Sequence, residues 1–267
     1  SNSTTMMMNL SLKDFVHVRK LGSGASSTVS LVRHVPTNTL YAQKTLNMSM
    51  RNTMMLGDGG DNSNHTTNNA NTTTDKIQAK MIFSEIKSLY KCRHCPYIVK
   101  LLQAFHEPSQ HMIHIMLEYM DGNSLEHVLS VTGHIPEHIL KHMTVQMLLC
   151  LQFLHHRAKV IHRDIKPANI LFHKGGVKVA DFGFAKVIDD VDKDIRKAHT
   201  LLGTPLYMSP QILNDESYSA KCDVWSTGVM FYEIIFGKLP WTGNSVPNLY
   251  SNIKSTPLTF PKNISEG

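Results

Sequence analysis

The chain has 267 residues, 42% of them hydrophobic, enough to bury a substantial core in one large or two small lobes. Its 27 Lys and Arg against 21 Asp and Glu give a net charge of +6. No basic run or stripe gathers that excess, so it reads as solvated surface and not as a nucleic-acid interface. Four cysteines are too few for a disulfide framework in a chain of this length. No apolar stretch approaches a membrane span and the N-terminus lacks a signal-peptide pattern, which points to a reducing, cytoplasmic setting.

Residues 1–11 are polar and Met-rich and read as a frayed lead-in. Phe15, Val16 and Val18 begin a strand that enters Leu21-Gly22-Ser-Gly24-Ala-Ser-Ser27-Thr-Val29, and Val29, Leu31 and Arg33 give the returning strand of a hairpin. A third strand runs from Leu40 to Leu46 and carries Ala42 and Lys44. Residues 47–74, dominated by Asn, Thr, Met and Gly, cannot bury enough apolar surface to offset the entropy of ordering and are expected to be disordered. Asp75 is then a candidate N-cap with Gln78 as its capping-box partner. Ile77, Met81, Ile82, Ile86 and Leu89 follow at helical spacing, with Glu85 among them. Cys92 and Cys95 form a C-x-x-C around His94, but no second ligand pair follows at zinc spacing, so they read as core and loop thiols. A strand over His111–Glu118 leads into Tyr119-Met120-Asp121-Gly122. From Pro136 a long helix runs through Ile139, Met143, Met147, Leu151 and Leu154, its methionines filling core.

Next comes Val160-Ile-His-Arg-Asp-Ile-Lys-Pro-Ala-Asn-Ile-Leu171, with Asp181-Phe-Gly183 a short loop, strand and loop later. The form H-R-D-x-K-x-x-N followed by D-F-G resembles the catalytic and metal loops of eukaryotic protein kinases. The earlier segments agree with it. The Gly22/Gly24 hairpin is similar to G-x-G-x-x-G-x-V with Ser27 at the third glycine, Ala42 and Lys44 match V-A-I-K, and Cys95-Pro-Tyr-Ile-Val-Lys-Leu101 resembles H-P-N-I-V-x-L. The resemblance covers about residues 12–263 apart from the insertion. It implies an α+β, two-lobed fold: a small antiparallel sheet with one helix over residues 12–120, a mainly helical lobe over 121–267, and ATP in the cleft. The chain is expected to stop near the helix after Asp223-Val-Trp225-Ser-Thr-Gly228, without the lobe's last helices.

The resemblance also implies roles. Leu21, Gly22, Gly24, Val29, Ala42, Lys44, Leu117, Glu118, Met120, Leu171 and Asp181 would bind the nucleotide, with Leu117 as gatekeeper and the backbone of Glu118 and Met120 reading adenine. Lys44 would contact the α- and β-phosphates and pair with Glu85. The insertion between them is about 25 residues longer than usual, which costs only about 1 kcal/mol of closure entropy, so the pair survives it. That insertion reads as an inert loop; the competing reading is a loosened helix and greater dependence on phosphorylation or an activating partner. Asp164 would accept the proton of the substrate hydroxyl and Lys166 would face the transferred phosphoryl group. Asn169 and Asp181 would hold Mg²⁺, and the rings of His162 and Phe182 would keep the two loops in register.

Thr200, three residues before Gly203-Thr204-Pro205, stands where the family carries its activating phosphothreonine, with Arg163 and Lys186 as the cations for it. Lys166 and Thr204 match serine/threonine kinases, whose partners are protein substrates and an upstream or activating kinase. Ala168 and Ser124 leave out acidic residues that select arginine, and Leu202 and Leu206 suggest an apolar pocket after the phosphoacceptor. Ala-Pro-Glu is replaced by Ser209-Pro210-Gln211, so the usual buried ion pair is lost, and a longer native chain with a Gln-based hydrogen bond is the simpler account. Within the family, Val179-Ala-Asp-Phe-Gly-Phe-Ala185 and Gly203–Pro210 look similar to Unc-51-like autophagy kinases. The alternative function is a pseudokinase scaffold; the intact Lys44, Glu85, Asp164, Asn169 and Asp181 oppose it.

Overall fold

The computed structural model describes residues 10–24, 27–48, 68–188 and 204–260, and of residues 68–77 the backbone alone. Two compact units divide the chain: residues 1–86 with 100–119, and residues 87–99 with 120–267.

The first unit is built on a five-stranded antiparallel sheet of β1 (Phe15–Ser23), β2 (Ser27–His34), β3 (Thr39–Asn47), β4 (Leu101–Glu107) and β5 (Met112–Glu118), ordered β1-β2-β3-β5-β4. Each tight reversal falls where the chain supplies turn chemistry. Asn38 and His111 both take left-handed backbone at the ends of short 3-10 turns opened by Pro36 and Pro108. Inside the sheet, Leu31, Val32, Leu46, Ile113 and Ile115 are buried. Between β3 and β4 lies α1 (Asn68–Lys91), on which Ile82 and Glu85 are buried; its end from Lys87 on, with buried Ser88 and Leu89, belongs to the second unit.

The start of α1 corrects the expected cap. Asp75 lies within the helix and not at its end, and the Gln78 side chain donates to the Asn47 carbonyl (2.6 Å) instead of capping. Once a helix is nucleated by its periodic apolar part, each further Asn or Thr costs only about 0.5–0.7 kcal/mol relative to Ala, so the backbone continues N-terminally to Asn68. The disorder expected for 47–74 therefore gives way to strand at Asn47 and helix from Asn68, and residues 49–67 lie outside the described residues.

The second unit is mainly helical: α2 (Leu125–Thr132), α3 (Glu137–Gln152), α4 (Pro210–Leu213), α5 (Lys221–Phe236) and α6 (Val246–Ser255). Two small ribbons accompany them, β6 (Val160–Ile161) with β9 (Lys186–Val187), and β7 (Ile170–His173) with β8 (Gly176–Val179). Along α3, Met143, Met147 and Leu151 are buried at i, i+4 spacing and Leu154 continues the row through a π turn over Phe153–Ala158, while Ile139 stays exposed near the solvent end. Ser124 and Ser245 cap α2 and α6 by accepting from His127 N and Asn248 N. The stretch entering α2 lies along β7, with Gly122 N donating to Phe172 O and Phe172 N to Asn123 O. A Cβ at Gly122 would come within 2.6 Å of that same carbonyl, so the approach requires glycine.

Residues 87–99 join this unit and not the sheet preceding them, which differs from a boundary at 120 alone. The reason is local: Val99 N donates to Val179 O and Val179 N to Tyr97 O, a pairing that fastens the segment to the end of β8. Deeper in the unit, Trp225 and Trp241 stack nearly parallel with centroids 5.5 Å apart, beside a cluster of Met208, Leu213 and Leu249. Among the described residues no helix is long and apolar enough to cross a membrane.

Candidate active site

Strand register assembles the first group of residues. Gly22 lies opposite Val29, Val29 opposite Lys44 and Ala42 opposite Leu117. Because residues two apart share a face, Val29, Ala42, Lys44 and Leu117 project from one side of the sheet. Leu21 sits at the irregular step between Lys20 and Gly22. The hairpin is closed by Gly24 N donating to Ser27 O (2.9 Å), while residues 25 and 26 at its tip lie outside the described residues. A Cβ on Gly22 would meet nothing within 4 Å, so its backbone is open to a close-approaching group such as a phosphate.

On that face Lys44 Nζ meets Glu85 Oε1 at 2.6 Å, with side-chain exposures of only 11% and 4%. Water is largely excluded from this pair, so α1 is held to β3 by a charge-assisted contact in a dry setting. At the end of β5, Glu118 N donates to Lys100 O and the Glu118 carboxylate accepts from Lys100 N (2.7 Å), fixing the backbone where the sheet ends. Met120, buried, is the first residue of the second unit's longer segment.

In the second unit the loop between β6 and β7 is organised by a residue that the sequence offered only as the first of a helix motif, with no role at the site. Asp223, at the start of α5 and fully buried, accepts from His162 N (2.9 Å), Arg163 N (2.8 Å) and His155 Nε2 (2.8 Å). Its signal in the sequence was a carboxylate between Cys222 and Val224 in an otherwise apolar helix start; buried carboxylates need such partners. Arg163 takes left-handed backbone (φ 67°), which is strained for a long side chain. Asp223 holds its amide, and its guanidinium is fixed by the Phe184 carbonyl and the Tyr218 hydroxyl.

This brace presents the polar cluster. Asn169 Nδ2 donates to both the carbonyl and Oδ2 of Asp164 (each 2.8 Å), Lys166 Nζ lies 2.9 Å from Asp164 Oδ2, and Thr204 N donates to Asp164 Oδ1 (3.3 Å). Lys166 also donates to Thr204 Oγ1 at 2.8 Å, so the segment after residue 203 is tied to the same carboxylate. Behind it the His162 and Phe182 rings meet edge to face at 4.8 Å, both fully buried, and His162 Nε2 lies 3.1 Å from the Ala180 carbonyl. Asp181 itself is exposed with φ 58°, its Oδ1 accepting from Gly183 N. Leu171 stands half-buried in β7 beside the Ser124 bridge.

The oxygen donors fit a magnesium ion. Asn169 commits its amide nitrogen to Asp164, which leaves the side-chain carbonyl oxygen to bind a metal, and the Asp181 carboxylate is a second hard donor. Mg²⁺ takes one or two carboxylates with phosphate and water, so an all-protein cage is not required. Among the described residues no group of three His, Cys, Asp or Glu side chains could hold a metal. Of the residues expected to receive an activating phosphate, Arg163 is engaged as above and Lys186 pairs with Ile161 between β9 and β6, whereas Thr200, like Leu202, lies outside the described residues.

One further contact was not legible as a motif. Tyr207 donates to Glu233 at 2.6 Å, and burial, reinforced by that hydrogen bond, pushes the phenol well above its ordinary value. Ser209 is buried with its hydroxyl unpartnered, and Gln211 is exposed.

The protein kinase domain family matches residues 15–265. The chain is 32% identical over 234 residues to mitogen-activated protein kinase kinase 1 of Arabidopsis thaliana, covering 87% of this chain and 58% of that protein. It is 36% identical to mitogen-activated protein kinase kinase 1c of Physcomitrium patens, covering 87% and 59%. With serine/threonine-protein kinase ATG1b of Arabidopsis thaliana it shares 34% identity over 253 residues, 93% of this chain and 31% of the relative. The chain thus spans little more than half, or less, of the length of these relatives.

Proposed function

The chain belongs to the protein kinase domain family, and from that premise we propose that it transfers the γ-phosphoryl group of ATP to serine or threonine hydroxyls of protein substrates. The observation that carries this reading is the cluster of Asp164, Lys166, Asn169 and Thr204, in which one buried carboxylate is held by an amide, an ammonium and a backbone N–H. Asp164 receives the proton of the attacking hydroxyl. Lys166, oriented by Thr204, places positive charge at the transferring group, and Lys44, oriented by Glu85, contacts the phosphates. Asn169 and Asp181 hold Mg²⁺, which neutralises phosphate charge when bound. Val29, Ala42 and Leu117 line one sheet face for the base, and the Glu118 and Met120 backbone reads its edge.

Regulation by a phosphate on Thr200 supports itself on Arg163, whose position is already fixed by Asp223 and Tyr218. The subgroup reading, an Unc-51-like kinase, rests on the Val179–Ala185 and Gly203–Pro210 motifs, beside 34% identity to ATG1b and up to 36% identity to mitogen-activated protein kinase kinases. The test is Mg²⁺-dependent autophosphorylation mapped by mass spectrometry, wild type beside Asp164→Asn. Phosphate in the wild type alone, with Thr200 among the sites, supports a self-activating kinase. Nucleotide binding by thermal shift without phosphate, even after treatment with an upstream kinase, sinks the catalytic reading in favour of a scaffold.

A further inference from the structure

The second unit contains a cavity of about 280 Å³ away from the residues assigned to phosphoryl transfer, lined on one side by Cys95, Pro96 and Tyr97 and on the other by Leu149, Phe153 and Arg157 of α3 and its π turn. Cys150 sits in α3 between Leu149 and Leu151, fully buried, and its thiol reaches the Tyr97 carbonyl at 3.6 Å. That contact brings the helix thiol to the same three-residue segment that presents Cys95 to the cavity. All four cysteines of the chain are free thiols.

We propose that Cys95 and Cys150 form an oxidisable dithiol, a modification site at which a small hydroperoxide entering this cavity converts the pair to a disulfide. The Cys95 thiolate attacks the outer peroxide oxygen, the O–O bond breaks and the alcohol or water leaves with a proton. The sulfur, oxidised by two electrons, is then a sulfenic acid. The Cys150 sulfur attacks it, the S–S bond forms, the S–O bond breaks, and the oxygen departs as water with the Cys150 proton. Two thiols and one hydroperoxide thus give one disulfide, one alcohol or water, and one further water.

The roles follow from the surroundings. A hydrogen bond from the Cys150 thiol is the main influence holding Cys95 below the ordinary thiol value; burial opposes it, and the Tyr97 amide and the Lys178 charge assist. Cys150, hydrogen-bonded to Cys95 and buried, is held well above and so stays a thiol during the first step; once Cys95 is a neutral sulfenic acid, the Cys95 charge that raises Cys150 is gone, and Cys150 can resolve it. Cys92 is buried and does not line the cavity; burial pushes it up to about 12. Cys222 is also buried and shifted upward, away from the cavity. Transient disulfides of this kind are the form that oxidation takes in reducing compartments.

The full chain, reduced and then treated with hydrogen peroxide, is denatured in N-ethylmaleimide and mapped by peptide mass spectrometry. The expected result is a fall from four alkylated cysteines to two, Cys92 and Cys222, with a Cys95–Cys150 linked peptide that dithiothreitol removes. Cys92→Ser keeps the link, and Cys150→Ser stops at a Cys95 sulfenic acid trapped by dimedone. A Cys92–Cys95 link, or Cys222 reacting as fast as Cys95, overturns the proposal. So does full alkylation of all four thiols after peroxide treatment, a reading on wild-type protein that needs no variant to fold.

Discussion

Thr204 has a double attachment, its hydroxyl accepting from Lys166 and its amide donating to Asp164. Removing the hydroxyl leaves the amide contact and takes away one of two groups that hold the ammonium, the Asp164 carboxylate being the other. Thr204→Ala is expected to lower kcat by about 10- to 100-fold with little change in the KM for ATP, since misplacement near the chemistry has costs of this size; steady-state kinetics with a peptide substrate reads both. An equal rise in KM would assign Thr204 to nucleotide binding instead. Glu85→Gln, by contrast, removes the charge from a 2.6 Å contact to a Lys44 side chain 11% exposed and should cost about 1.5–3 kcal/mol, seen as a lower urea midpoint. At this scale the contacts of Lys44 with Glu85 and of Asp164 with Lys166 and Asn169 were legible, because the matched motifs place those residue types at fixed spacings. The bracing role of Asp223 was not, because its partners lie about sixty residues away and nothing in a helix start announces which distant amides it receives.

The catalytic loop and α5 act as one piece through that carboxylate. Asp223→Ala leaves two backbone N–H groups and the His155 ring unpartnered in a dry site. A loss of roughly 2–4 kcal/mol is expected from such unmet donors, together with loss of phosphoryl transfer. Hydrogen exchange at the His162 and Arg163 amides gives the local readout: if these stay as protected as in the wild type, the brace lies elsewhere. Strand positions were easy to read because the glycine hairpin and the motif matches bracket them, and the sheet spans Phe15 to Glu118 much as expected, with Val16 and Val18 of β1 exposed. Helix α1 was harder. Its apolar rows were plain, but its beginning depends on propagation into a weakly helix-forming tract, and Asp75 looked like a cap only because side-chain preference for ends is a local signal.

For the molecule as a whole, alkaline pH should erode stability. Burial, with help from the neighbouring Cys95 charge, raises Cys92 from an ordinary 9.0 to about 12, and Cys222 and Tyr207 are shifted in the same direction. Between those values the unfolded chain has released the Cys92 proton while the native chain keeps it, so the native state binds more protons and stability falls as pH rises. The contribution is fully present below pH 9.0 and lost by about 12. Urea midpoints measured across this window should decline, and Cys92→Ala should decline less steeply; parallel slopes would remove the thiol from the account. The grouping of residues 87–99 with the later part of the chain was invisible in the sequence, because it rests on two backbone hydrogen bonds to Val179 and not on any patterned side chain.

The stacked pair Trp225 and Trp241 accounts for both tryptophans of the chain, and both lie in the second unit. The indole emission of this protein is therefore a one-sided reporter, blind to the sheet that carries Lys44. Far-ultraviolet circular dichroism sees both halves. A thermal scan followed by the two signals together becomes a test of cooperativity: coincident curves mean that the halves melt as one, and a dichroic change that precedes the fluorescence change means that the tryptophan-free half melts first.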